Sequence, residues 1–254
     1  MDLPVVPPIE PMLAKAQVKV PDEAGVWSYE PKWDGFRALA FRDRDEVVLQ
    51  SRNGKELGRY FPELFEALRD ELAERCVLDG EVVVPREIDG RMRLDWESLS
   101  QRIHPAESRV RLLAEQTPAC YIAFDLLALG DDDLTARPFS ERRAALVEAL
   151  GPGPRFHVTP ATTDLPTARR WFDEFEGAGL DGLIAKPLTL TYQPDKRVMV
   201  KIKHQRTADC VVAGYRLHKS GPDAVGSLLL GLYTDDGELA SVGVIGAFPM
   251  DRRR

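Results

Sequence analysis

The sequence predicts an α+β fold, and three observations carry that prediction. Up to about residue 206, stretches with helical periodicity alternate with short apolar runs rich in branched side chains. Beyond that point the apolar runs continue with no helix between them. A chain of 254 residues, 44% of them hydrophobic, can fill one large core and a smaller one. The expectation is a first domain over residues 1–206, with large mixed or antiparallel sheets and flanking helices. A second, all-β domain over 207–254 follows it as a small barrel or sheet.

Taken in order, "VVLQS" reads as a strand. "PELFEALRDELAER" reads as a helix, with Pro62 near its start and Leu64, Phe65, Leu68 and Leu72 at helical spacing. "CVLDGEVVV" and "CYIAFDLLAL" read as buried strands. "SERRAALVEALG" reads as a helix, with Ser140 as its cap and Gly151 as its stop. "DLPTARRWFDEFEGAG" puts Ala168, Trp171, Phe172 and Phe175 on one helical face and stops at Gly177 and Gly179. "GLIAKP" and "RVMVKIK" return to strand. Then come three strands in succession, "ADCVVAGYRL", "GSLLLGLYT" and "LASVGVIGAF". "TDDGEL" joins the last two as a hairpin turn. Three strands are too few to close a barrel, so the second domain is expected to be incomplete.

Bulk properties exclude several classes. No apolar run approaches the roughly 20 residues needed to cross a bilayer. The N-terminal "MDLPVVPPIEPMLAK" lacks the basic start and apolar block of a secretory signal. The three scattered cysteines, Cys76, Cys120 and Cys210, suit reduced thiols and a cytoplasmic location. The four histidines have no cysteine partners at zinc spacing. The net charge of −7 argues against a nucleic-acid ligand, but its distribution does not. Between Lys186 and Lys219 lie eight basic residues and two acidic ones, Asp195 and Asp209, which fits a basic face for phosphates.

The residues that could carry chemistry begin with Lys32 in "EPKWDGFRALAFRD". A lysine amine at its reference pKa of about 10.4 is protonated at neutral pH and is no nucleophile. A cation about 6 Å away, at an effective dielectric near 20, costs the ammonium form roughly 3 kcal/mol, or about two pKa units. "KIK" supplies Lys201 and Lys203, which alternate on a strand and so face one side. The bland alternative for Lys32 is a solvated strand-edge charge. Glu81 in "LDGEVVV" is a strand-edge charge, a structural partner, or a ligand for a ribose hydroxyl or a metal. Phe124 in "YIAFDLL" is core, or a platform on which a purine stacks. Arg52 in "SRNG" sits on a turn where a guanidinium could grip a phosphate. "DGLIAKP" repeats the Asp-Gly arrangement, with Asp181 heading a strand and Lys186 ending it.

Each signal alone is weak, but their order is specific. K-x-D-G-x-R, S-R-N-G, D-G-E, F-D, D-G-x-x-A-K and K-x-K follow one another along the chain. This succession resembles the covalent nucleotidyltransferases, which comprise DNA ligases, RNA ligases and mRNA capping enzymes. With "PMLAKA" and "FPMDRRR", it is most similar to bacterial ATP-dependent DNA ligases, of the minimal actinobacterial type and of the ligase module of the end-joining polyfunctional ligase. The resemblance implies an adenylation domain over 1–206 and a truncated OB-fold over 207–254. It also implies nick sealing through a lysyl-AMP, with ATP and Mg²⁺ or Mn²⁺ as cofactors. Nicked duplex DNA is the implied partner, the enzyme is expected to be a monomer, and other repair proteins are left open.

Residue by residue, the resemblance implies that Lys32 takes up AMP and that Lys201 and Lys203 hold the α-phosphate. Glu30 would lie against the adenine edge, Phe124 would stack on the ring, and Arg37 and Glu81 would hold the ribose. Arg52 would meet a phosphate, that of the nick 5′ end. Asp181 and Glu81 would be the metal ligands, with Asp181 departing from the family's usual Glu by one methylene. An RNA ligase or capping enzyme, or a non-catalytic nucleic-acid-binding module, are the rival readings. A NAD-dependent ligase is disfavoured, because only 31 residues precede Lys32.

Overall fold

The structure, a computed structural model, describes residues 1–88, 90–104, 106–151, 153–175, 180–204 and 207–253. The chain divides into two compact units, Met1–His204 and Gln205–Arg254. In the first unit the strands are β1 (Leu13–Gln17), β2 (Trp27–Pro31), β3 (Phe36–Asp43), β4 (Glu46–Ser51), β5 (Arg75–Val83), β6 (Pro85–Ile88), β7 (Arg91–Leu94), β8 (Cys120–Leu129), β9 (Asp132–Asp133), β10 (Phe156–Val158), β11 (Leu183–Pro187) and β12 (Arg197–Ile202). Its helices are α1 (Pro62–Glu71), α2 (Trp96–Gln101), α3 (Glu107–Gln116), α4 (Phe139–Ala149) and α5 (Leu165–Phe175).

Two sheets dominate this unit. One has four strands in the order β1-β12-β11-β2. The other runs β10-β8-β5-β3-β4, with β9 beside β8. Both are mixed, because β1 runs parallel to β12 and β10 parallel to β8 while the other pairs are antiparallel. The larger sheet is buried on both faces, which explains the near-continuous apolar runs of β3, β5 and β8. Alternation along β3 sends Ala38 and Ala40 into one core, with Leu64, Leu68 and Tyr121. The intervening Leu39 and Phe41 enter another, with Met12, Val77 and Phe139. A third core lies behind the four-stranded sheet, where Ala168, Trp171 and Phe172 of α5 pack on Tyr29, Leu183 and Ile202.

Helix boundaries agree with expectation in part. Pro62 opens α1, and Leu64 and Leu68 are its buried residues. Ser140 is not the cap of α4, which begins at Phe139 after Pro138. The backbone N–H of Ser140 instead donates to the carbonyl of Leu188, so a neighbouring strand end satisfies the exposed helix start. Asp164, ahead of α5, accepts from the Thr167 N–H at 2.9 Å. The Phe175 side chain and the stops at Gly177 and Gly179 lie outside the described residues, as does the boundary at 206.

The second unit is an antiparallel sheet in the order β13-β14-β15, from β13 (Val211–His218), β14 (Gly221–Tyr233) and β15 (Leu239–Ile245). The turn at Thr234–Glu238 joins the last two, with Gly237 at φ +81°. Among the described residues, no helix is long and apolar enough to cross a membrane.

Candidate active site

A cavity of about 310 Å³ opens between the two large sheets, and the strand registers decide what lines it. On the four-stranded sheet, Glu30 of β2, Ile184 of β11 and Lys201 of β12 are cross-strand neighbours and share a face. On the six-stranded sheet, Arg37 of β3 lies opposite Glu81 of β5. All of these line the cavity, together with Lys32, Arg52, Phe124, Lys186, Arg197 and Lys203. Every expected site residue except Asp181 therefore borders one cavity, and Asp181 is bonded to two that do.

Both Asp-Gly pairs have a steric reason. A Cβ on Gly35 would stand 2.2 Å from the Val82 carbonyl oxygen. Gly182 has φ +127°, and a Cβ there would stand 2.0 Å from the Ile202 carbonyl oxygen. The Gly182 turn grips the backbone of the candidate nucleophile. Lys32 N–H donates to the Gly182 carbonyl at 2.8 Å, and Asp181 N–H donates to the Lys32 carbonyl at 3.0 Å.

The side chains there are ion-paired. Lys32 Nζ is 2.9 Å from Asp181 Oδ2, and Lys203 Nζ is 2.5 Å from the same oxygen. Burial alone would raise the Asp181 pKa, but the hydrogen bonds from Lys203 and Lys32 outweigh it and hold the carboxyl below its usual range. Lys201 is depressed, first by burial and then by the charges of Lys203 and Lys32. Burial pushes Glu81 up to about 7, against the pull of Arg37 and Lys32.

Arg37 is committed elsewhere than the sequence suggests. Its Nε and Nη2 donate to the two oxygens of Asp79 at 2.8 and 2.6 Å, and the Tyr192 hydroxyl donates to Asp79 Oδ2 at 2.8 Å. Asp79 is 0% exposed, so this bidentate pair fixes the guanidinium 4.9 Å above the Phe124 ring. Asp79 stands two residues before Glu81 in "LDGE" and Tyr192 lies far along the chain; neither was predicted.

Glu30 is 2% exposed, and its Oε2 meets Lys186 Nζ at 2.8 Å. Its Oε1 is buried with no hydrogen-bond partner among the described residues. Burial raises the Glu30 pKa, opposed by Lys186 and then Arg143. Lys186 also donates to the Phe124 carbonyl at 3.0 Å and lies against the Phe124 and Phe139 rings. Lys186 belongs to the basic segment read from the sequence but is 2% exposed, so that segment is not one continuous face. Arg206, in the same segment, lies outside the described residues.

Among the described residues, no three His, Cys, Asp or Glu side chains cluster as metal ligands. Asp181 and Glu81 could give a divalent ion one or two oxygens, which suits a Mg²⁺ held mainly by substrate phosphates. The arrangement is that of an anion pocket with the Lys32 amine on its edge, an aromatic wall and, among the described residues, an unsatisfied buried acceptor.

The model of the ATP dependent DNA ligase domain family matches residues 11–203. The chain belongs to the ATP-dependent DNA ligases. DNA ligase C2 of Mycolicibacterium smegmatis is 70% identical over 255 residues, which span 100% of this chain and 70% of that protein. DNA ligase C of Mycobacterium tuberculosis is 68% identical, spanning 100% of this chain and 70% of its own length. Among solved structures, the ligase domain of M. tuberculosis LigD superposes with a TM-score of 0.61 at 29% identity, over 96% of this chain and 74% of that one. A mycobacterial DNA ligase D complexed with ATP gives 0.59 at 30% identity, over 94% of this chain and 72% of that one. The ligase is thus an enzyme of the kind the ordered motifs suggest, with a nucleotidyltransferase fold of mixed sheets and helices.

Proposed function

We propose that this ligase seals nicks in duplex DNA in three transfers centred on Lys32. The Lys32 amine attacks the α-phosphorus of ATP, forming a P–N bond as pyrophosphate leaves. The 5′-phosphate at the nick then takes AMP from Lys32. The 3′-hydroxyl attacks that phosphate, closes the phosphodiester and expels AMP. Phosphoryl transfer of this kind needs chiefly positioning and charge neutralisation.

The residues support these roles individually. Before the first attack Nζ must lose a proton, and the Asp181 carboxylate 2.9 Å away orients the amine through their hydrogen bond. Lys201 and Lys203, at the end of β12, offer positive charge to the α-phosphate. The orphaned Glu30 Oε1, near Phe124, is an acceptor that suits an exocyclic amino group on a stacked purine. Glu81 suits a ribose hydroxyl or a metal, and Arg37, anchored on Asp79, suits the ribose side. Arg52 is exposed at the cavity mouth, where it suits the nick phosphate. A divalent ion, when bound, supplies further neutralisation of phosphate charge. In this reading residues 1–206 form the adenylation domain, and β13–β15 are strands of an OB-fold. The three free cysteines suit the reducing cytoplasm.

The observation that carries the reading is the Lys32–Asp181–Lys203 cluster at the edge of a cation-lined cavity. Incubation with labelled ATP and a denaturing gel tests it. The wild-type chain is expected to carry covalent AMP, and Lys32→Ala to carry none at the same melting temperature. Labelling that persisted in Lys32→Ala would remove Lys32 from the role, and labelling by NAD at the rate of ATP would refute the nucleotide.

A further inference from the structure

Between β10 and α5 the chain crosses from one large sheet to the other, and Thr159 is its most heavily bonded residue there. Thr159 is 1% exposed. Its N–H donates to the Ala123 carbonyl at 2.8 Å, extending the parallel pairing of β10 with β8 next to Phe124. Its carbonyl accepts from Arg143 Nη2. Its Oγ1 accepts the indole N–H of Trp33 at 2.8 Å. Three residues on, Thr162 exchanges both backbone hydrogen bonds with Tyr29, at 2.8 and 3.0 Å, beside Glu30 on β2. The segment thereby ties the strand that carries the aromatic wall to the strand that leads into the nucleophile.

Trp33 follows Lys32 directly, and its ring is seated with Leu94 on Val83, Cys120 and Ile122. The Lys32 peptide is held on one side by the Gly182 turn. On its other side the Trp33 ring is packed, and the Thr159 hydroxyl adds to that packing a directional hydrogen bond that fixes the rotation of the indole. The residue directly after Lys32 is thus bonded to an oxygen 126 positions away in sequence.

We propose that Thr159 is a positioning residue for the first chemical step, acting through Trp33 on the aim of Lys32. Thr159 is not among the residues that line the cavity. A misplacement of about 1 Å in a displacement of this kind costs on the order of a hundredfold. The third transfer does not use the Lys32 amine as nucleophile, so it should be largely spared. This inference rests on Lys32 being the adenylated residue, and wild-type labelling by ATP checks that separately.

The test is single-turnover kinetics on three variants. Thr159→Val keeps the shape and removes the hydroxyl, leaving the Trp33 N–H without its acceptor. It is expected to slow self-adenylation about 10- to 100-fold with an ATP KM within about twofold of wild type. Sealing of a pre-adenylated nick should fall less than about threefold. Thr159→Ser, which retains the oxygen, should restore charging to within about threefold of wild type. Trp33→Phe should show the Thr159→Val pattern, and the double variant should be no slower than the worse single one. If Thr159→Val fails to fold, Trp33→Phe and Thr159→Ser still decide the matter. Charging at the wild-type rate in Thr159→Val or in Trp33→Phe, no rescue by Ser, equal losses in both steps, or losses that multiply in the double variant would each overturn the proposal. Absence of labelling in the wild-type chain would instead overturn the assignment of Lys32.

Discussion

Lys32 and Glu81 show how single residues in this cavity are kept from their solution behaviour. The sequence suggested that neighbouring cations act on Lys32. In the structure Lys32 is paired with Asp181, while burial first, and then the charges of Lys203 and Lys32, depress Lys201. Glu81 is the clearest case of a group held under strain. Burial pushes its carboxyl up to about 7 from the ordinary 4.5, so ionising it in the fold is unfavourable. That cost is absent at acid pH, grows as pH rises past 4.5 and is complete above about 7. Glu81→Gln should therefore be more stable than wild type at pH 8.5 by about 2–3 kcal/mol, and nearly equal to it at pH 4.5. Melting curves across that range measure the difference, and a gap that does not change with pH would refute the cause given. The same variant should lose activity, since a strained carboxylate at a functional site is maintained at the expense of stability. The motif residues were legible because the chemistry demands those side chains at short spacings. Asp79, Tyr192 and Thr159 were not legible as partners, because Asp79 holds Arg37 from 42 positions away, Tyr192 holds Asp79 from 113, and Thr159 meets Trp33 from 126.

Among the elements, the strands were read best and the connecting segments least. β8 was bounded as found, because a central strand buried on both faces leaves an unbroken apolar run. The hairpin of β6 and β7 was missed, since "PREIDGRMRL" is mostly polar and shows no clear apolar alternation. α3 was missed as well, because only Val110 and Leu113 of its ten residues are buried. The Ser140 cap was misassigned because sequence cannot show that the Leu188 carbonyl arrives to satisfy that helix start. The turn before β11 carries the sharpest mechanical demand. A methyl group on Gly182 meets the Ile202 carbonyl and requires a φ that side chains resist, so Gly182→Ala must shift either β12 or the Lys32 backbone. It should reduce covalent AMP formation at least tenfold while the far-UV spectrum stays that of a folded protein. Charging at the wild-type rate would mean that the turn does not aim the nucleophile.

Across the whole molecule, charge is divided unevenly. The chain carries −7, yet seven basic side chains and two acidic ones line the cavity. Binding to nicked duplex should weaken steeply as salt rises above physiological strength, because each phosphate gripped releases counterions. An affinity that stayed flat there would count against phosphate contacts as the main source of binding. The same uneven division sets the approach to DNA as well as the grip. At about 0.01 M salt the Debye length is about 30 Å, so an incoming duplex senses the repulsive total before it reaches the cleft. At about 0.15 M it is about 8 Å, and the distant acids fall silent while the cleft still pulls. The encounter rate should therefore pass through a maximum between these strengths. Most steered DNA-binding proteins are net cationic and slow down from the first addition of salt. Stopped-flow association would show this ligase speeding up first.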